Sequence, residues 1–422
     1  MSTPGNLKID GTIDDKFKSV SALFERELST LAERNSQLCI YVGEHKVVDL
    51  WGTAIGDQGF NADSLVNVFS SGKSLEAIAV AFLFDQGLLQ YTDLITQHWP
   101  EFGQAGKDQL TIADLMRHEA GLASLSVSIN PEDLLTENIK QNKIGAILEQ
   151  HPAHFKPGEN NQREYHAVSR GWIINELFRR IDKNGRTIGE FLEQEISNPL
   201  NADAQIGVKQ SDLGRRSAVH MLPFGYHLRQ TFKPIFMGRK VKDNIFQLGA
   251  KVIPMIPRMR NGNSNPDSKP PYTGMDSVEF FNEEIVARGE TPSANSHCSA
   301  RGLGKIAAVM ANGGSLNGTT YLSEQAWQAM HAEPVVRNMA FETTFTQGGV
   351  AHFGAPGRTR LERAANQGRE GFYGWMGLGG SIFQWHPEKK IGFSFVPTSL
   401  HAIDLVNERG KMFQKEILRC LS

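Results

Sequence analysis

The 422-residue chain is predicted to adopt an α/β fold of the α+β type, with one antiparallel sheet assembled from both chain ends and flanked by helices. Three observations predict it. A helix followed by a β-hairpin opens the sequence, a hairpin followed by a helix closes it, and the stretch between reads as mainly helical. Residues 1–84 and 290–422 then supply the sheet and its flanking helices. Residues 85–206 form a mostly helical region, and 207–289 a separate insertion.

Taking the elements in order, residues 14–34 place Phe17, Val20, Leu23, Phe24, Leu28 and Leu31 on one side of a helix. Leu38–Val42 and Lys46–Trp51 have β character and are joined by Gly43-Glu44-His45. In the next segment, VNVFSSGKSLEAIAVAFLFDQGLL, a helix begins near Ser70. Leu75, Ile78, Ala79, Phe82 and Leu83 form its buried stripe, and Gly87 stops it. Thr111 to Asp114 resembles a capping box, with Asp in place of the usual Glu, and leads through Leu115 and Met116 to a stop at Gly121. Further helices are expected over 166–181, 187–196 and 300–312, the last ending at Gly313-Gly314. Ser381–Trp385 and Ile391–Val396 flank a five-residue turn, and 402–421 forms the closing helix. Between roughly 207 and 290 periodicity fades into a Pro-, Asn- and Gly-rich run that suits either a substrate-access loop or an inert surface loop.

Composition excludes several classes. With 44 basic and 46 acidic residues the net charge is −2, so no global field favours nucleic acid or an anionic membrane. The absence of a long apolar run and the polar start MSTPGNLKIDGTIDDKF point to a cytoplasmic protein. Cys39, Cys298 and Cys420 are isolated thiols, which suits a reducing compartment and neither a disulfide framework nor a zinc site. Thirteen histidines include no H-E-x-x-H, so no metal and no cofactor is expected. Nothing in the residues fixes an oligomeric state.

Ser70-Ser71-Gly72-Lys73 carries the chemistry. Residues three apart on a helix lie on one face, so Lys73 reaches Ser70 and can assist a hydroxyl that is otherwise a poor nucleophile. S-x-x-K occurs once in the chain. The same residues also suit a plain helix N-terminus, with Ser70 or Ser71 as cap and Lys73 in water. No G-x-S-x-G is present, which argues against an α/β-hydrolase nucleophile elbow.

FSSGKS, GLLQYTDLITQHWPEFG and LTIADLMRHEAGL, followed by residues 165–186 and NSHCSARGLGKIAAVMANGG, resemble the successive blocks of serine β-lactamase-like hydrolases. That group includes class C β-lactamases, penicillin-binding peptidases and family VIII carboxylesterases, and the last are the nearest in pattern. The resemblance covers most of residues 14–420 and implies the serine β-lactamase-like fold with Ser70, Lys73 and Tyr165 as catalytic residues. It also implies an oxyanion hole from the Ser70 and Leu378 N–H groups, with Trp375, Gly377 and Gly379 along the substrate.

Two departures from the family pattern are informative. Where the family has Y-x-N, this chain has Tyr165-His166-Ala167, without the asparagine that helps hold a β-lactam amide. Where it has K-T-G or H-T-G, Gly374-Trp375-Met376-Gly377 follows, and an indole replaces the cation that anchors a substrate carboxylate. Family VIII esterases often carry a tryptophan here. A neutral small-molecule ester is therefore the expected substrate, hydrolysed through an acyl-serine. An acyltransferase, a β-lactamase or D-amino-acid peptidase, and a non-catalytic scaffold are the alternatives.

A replacement cation could come from Arg358, Arg360, Arg363 or Arg369, although these also suit a solvated loop face. His118 is expected in a structural turn, His166 as a satisfied surface histidine, and Tyr272-Thr273-Gly274 as a chance mimic of the triplet.

Overall fold

The structure is a computed structural model and describes residues 7–161, 163–255, 265–339, 341–354 and 360–422. Its main sheet has seven strands: β1 (Lys8–Ile13), β2 (Asn35–Val42), β3 (His45–Thr53), β4 (His352–Phe353), β5 (Phe372–Met376), β6 (Ile382–His386) and β7 (Ile391–Pro397). They run antiparallel in the order β1-β3-β2-β7-β6-β5-β4, so the two chain ends meet where Phe395 of β7 faces Leu38 of β2. Strand β1 carries no alternating apolar pattern because it pairs at the edge and is mostly exposed.

Alternation sorts the two faces of the sheet. Leu38, Ile40, Leu50, Phe393 and Phe395 pack against helices α1 (Lys18–Thr30) and α5 (Glu408–Leu421). Cys39, Tyr41, Trp51, Phe383 and Trp385 belong to the larger core, which also contains α2 (Lys73–Asp85), α3 (Ser169–Ile181) and α4 (Ala300–Ala311). Helix α4 lies so close to β7 that a Cβ on Gly392 would come within 2.5 Å of the Ala308 nitrogen. Glycine there is a packing requirement.

Several boundaries differ from the sequence expectation. Helix α1 is preceded by a separate 3-10 turn over Asp15–Phe17, where the sequence suggests one helix from 14 to 34. The expected stripe on α2 is instead a helix buried on nearly every side, with only its C-terminal turn, Phe82 included, partly open; it is a core helix. The capping box at Thr111 is present, but its helix ends at Met116, because His118 takes a left-handed φ of 66°. Residues 187–196 form one α-turn, Ile188–Phe191, which widens into a π-turn over Leu192–Ser197. The final helix starts at Glu408, since Asn407 also has a left-handed φ and donates its side-chain N–H to the carbonyls of Gly377 and Ser381.

Candidate active site

Ser70 sits in a 3-10 turn, Phe69–Gly72, that leads directly into α2. The turn is fixed from both sides. Val66–Asn67 pairs with His297–Cys298, and Asn67 Oδ1 accepts the Phe69 N–H at 2.9 Å. The first N–H groups of a helical turn have no partner inside it. Asn67 meets that of Phe69, and the Ser70 N–H has none recorded among the described residues. Leu378 likewise begins a short turn, Leu378–Gly380, and both residues border the same cavity. Ser70 and Leu378, the residues expected to supply the two backbone donors, thus line one cavity.

Lys73 is fully buried. Its Nζ lies 2.8 Å from Ala167 O, 2.8 Å from Ser293 O and 3.2 Å from Ser70 Oγ. The two carbonyls accept two of the amine's N–H groups, and its third polar contact is the serine hydroxyl. Burial pulls the lysine pKa well below its ordinary value; Glu76 opposes that shift and Arg170 adds to it. Tyr165 Oη forms a short hydrogen bond with Ser70 Oγ. Its pKa is pushed up to about 12, chiefly by burial, so the phenol is neutral.

The carbonyl of Ser293 is a contact that sequence reasoning missed, yet its signal lies in two glycines. A Cβ on Gly72 would meet Ser296 Oγ at 2.2 Å, and one on Gly171 would meet the Ser293 nitrogen at 2.5 Å. The serine turn and α3 therefore both press on the 292–296 segment. The ion pair between Arg170 and Glu76, 2.8 Å and fully buried, was also missed because its members lie 94 residues apart.

Trp375 is buried and stacks on Phe345 with ring centroids 4.9 Å apart. Its Nε1–H donates to Gly349 O at 2.7 Å, so the indole offers a substrate only its apolar surface. Gly377 and Gly379 border the cavity, but their missing Cβ atoms leave room for protein: one would meet Val68 O at 2.2 Å, the other Leu400 Cβ at 2.5 Å.

His166 is fully buried, not at the surface. Its Nδ1–H donates to Glu164 O and its Nε2 accepts the Leu122 N–H. Burial holds its pKa down to about 3, and that of His118, whose ring lies 5.2 Å from Tyr165, well below the ordinary value. Tyr272 is buried and donates to Thr291 Oγ1, away from the cavity. Arg369 is buried against the Val406 and Asn407 carbonyls, not solvated, and Arg363 is exposed. Arg358 and the side chain of Arg360 lie outside the described residues.

A cavity of about 590 Å³ opens above Ser70 and Tyr165. A hairpin (Val335–Met339 and Phe341–Phe345), the 351–354 segment, residues 374–379 and the 402–407 loop form its walls. Among the described residues none of the 207–290 insertion lines it, which leaves the surface-loop alternative for those residues, and the strands Val335–Met339 and Phe341–Phe345 border it instead. Glu342, Glu362 and Asp404 are among the residues that line the space, the Asp404 carboxylate being held by the Glu408 and Arg409 N–H groups, and no described lysine or arginine lines it. No group of three or more His, Cys, Asp or Glu converges as a metal site would among the described residues.

The 27% identity to Esterase/beta-lactamase LipL of Mycobacterium tuberculosis extends over 409 residues, 93% of this chain and 83% of that protein. A family VIII carboxylesterase structure superposes with a TM-score of 0.76 at 23% identity, covering 98% of this chain and 100% of the other. A penicillin-binding protein homologue from Caulobacter crescentus gives 0.73 at 24% identity, with coverage of 98% and 100%. Both share the serine β-lactamase-like fold described above. The model of the beta-lactamase family matches residues 21–411, nearly the whole length over which the sheet, the serine turn and the cavity are built, and the chain belongs to that family.

Proposed function

We propose that this chain is a serine hydrolase of neutral carboxylic esters that works through an acyl-serine. The convergence of Ser70, Lys73 and Tyr165 at the floor of the cavity carries the reading. Neutral Lys73 takes the Ser70 proton as Oγ bonds to the ester carbonyl carbon. The Ser70 and Leu378 N–H groups receive the developing oxyanion. Tyr165, a neutral phenol hydrogen-bonded to Ser70 Oγ, gives its proton to the departing alkoxide as the C–O bond breaks, and the lysine proton restores it. Water then attacks the acyl carbon, its proton passing back along the same groups, and Ser70 is regenerated.

The substrate class rests on the cavity. The name of the mycobacterial relative carries both esterase and beta-lactamase, so it does not choose between them. A β-lactam brings a carboxylate, and here that group would meet an apolar indole and no described cation among the lining residues. Loss of one charged hydrogen bond costs about 1.5–3 kcal/mol, tenfold or more in binding. Accordingly, kcat/KM for a short-chain p-nitrophenyl ester is expected to exceed that for a chromogenic cephalosporin by about tenfold or more. The reverse order would overturn the ester assignment.

Intact-mass and peptide analysis after mixing with a slow ester tests the intermediate. An acyl adduct is expected on the Ser70 peptide and absent from Ser70→Ala; an adduct elsewhere identifies a different nucleophile. Tyr165→Phe is expected to lower kcat by about 10²-fold or more, and full activity in that variant would remove the tyrosine from the proton path.

A further inference from the structure

The 207–290 insertion is built inside out. Of the eleven large apolar side chains exposed among the described residues, seven fall between Phe224 and Ile253. Phe236 is 84% exposed, Phe246 83% and Ile235 74%. Several polar residues of the same segment are buried instead. In the helix Phe224–Thr231 the buried residues are His227, Gln230 and Thr231, and in Ile245–Val252 the buried Lys251 pairs with Asp243 and Glu408. Lys242 pairs with Glu27 of α1, and Lys240 O accepts the Ala32 N–H. A water-facing helix shows the opposite arrangement. The two helices pack on each other, and Phe246 and Ile253, two turns apart, share one side.

Charge selects what such a surface meets. From Leu213 to Lys242 the sequence has no acidic residue; Arg229 is exposed beside the apolar groups, Lys233 and Lys240 are half-buried, and the half-buried Arg239 donates to the Val241 and Lys242 carbonyls. Apolar side chains that protrude from a basic surround match the interface of an anionic bilayer, where the rings enter the headgroup region and the cations meet lipid phosphates. A second copy of the chain fits poorly, because a two-fold contact would press the same basic surface against itself. No helix among the described residues is long and apolar enough to cross a membrane.

We infer that the 224–253 segment is a docking surface for anionic phospholipid membranes, on which the protein rests without spanning them. Its inner side reaches the cavity wall. The helix Ile245–Val252 packs against Arg360–Asn366, and Ala365 and Asn366 of that helix line the cavity.

Flotation of the full chain with vesicles tests this. At about 0.15 M salt, binding is expected to phosphatidylcholine vesicles carrying about 30 mol% phosphatidylglycerol, at least about tenfold tighter than to phosphatidylcholine alone. Raising the salt to about 1 M should remove the difference. Phe236→Ser with Phe246→Ser is expected to weaken binding about tenfold or more, and Arg229→Glu with Lys233→Glu about fivefold or more per residue. All four side chains reach the surface, so an unchanged melting temperature will show that the variants fold. Failure to bind, equal binding to both vesicle types, or wild-type binding by either variant would overturn the inference. So would self-association without vesicles that the phenylalanine changes abolish, since a second copy would then be the occupant. Binding is read without turnover and the Ser70→Ala chain serves equally, so docking and ester hydrolysis fail separately.

Discussion

Replacing Lys73 with methionine is expected to lower ester turnover by about 10²–10⁴-fold and to remove a pH dependence of stability that the wild type carries. Lys73 lies in the core with its amine divided between two carbonyls and the serine, and burial holds its pKa well below the ordinary lysine value of 10.5. In the unfolded chain the amine keeps its proton up to about that value. Between the two pKa values the unfolded state therefore binds more protons than the folded one. Stability then rises with pH in this window and falls by up to about 1.4 kcal/mol per unit on acidification. Lys73→Met lacks this term. Urea unfolding of both proteins at several pH values below 10.5 reads it directly, as a stability difference that moves against the wild type as pH drops. A difference that stays constant would mean the amine is protonated throughout, and Lys73 could not be the base. The kcat/KM profile gives an independent reading. Its acid limb should lie far below 10.5, and no alkaline limb from Tyr165 should appear until about 12.

What the sequence reveals and what it hides divide along a physical line. Side-chain chemistry at short spacing is legible: Ser70 and Lys73 are three apart, and Tyr165 lies just before a helix. The β character of β2, β3, β6 and β7 is legible because these strands are buried along most of their length and pair with their sequence neighbour across a short turn. Backbone ligands are not legible, since any residue type can present the Ala167 and Ser293 carbonyls that hold Lys73. Nor is a spent donor: nothing in the sequence shows that the Trp375 N–H is taken by Gly349 O, 2.7 Å away. The cavity wall from Val335–Met339 and Phe341–Phe345 carries no Gly- or Asn-based turn dipeptide to announce a hairpin. Whole-chain charge averages out the basic, apolar stretch at 224–253, which is why a net of −2 argues against a membrane while one segment argues for it.

Arg170→Met is expected to destabilise the fold by about 3–5 kcal/mol, because it leaves the Glu76 carboxylate uncompensated in the core. That is a large part of the roughly 5–15 kcal/mol available to a folded domain. The guanidinium donates to Glu76 Oε2 at 2.8 Å, to Met116 O at 2.9 Å and to the Lys73 carbonyl at 3.2 Å, and it lies 5.1 Å from the Trp375 ring. The other carboxylate oxygen, Glu76 Oε1, has no hydrogen-bond partner among the described residues, so Arg170 is its main compensation. Removing both charges with Arg170→Met and Glu76→Met should recover most of the loss, and the four proteins form a double-mutant cycle. A purely structural role would end there. Glu76, however, raises the Lys73 pKa and Arg170 lowers it, so the pair sets the amine's charge as well as the packing. In Arg170→Met the unopposed carboxylate should move the acid limb of kcat/KM to higher pH, and the double variant should bring it back. A limb that stays in place while stability falls would confine Arg170 to the scaffold. A limb that moves and returns would make it a positioning residue for the charge state of Lys73.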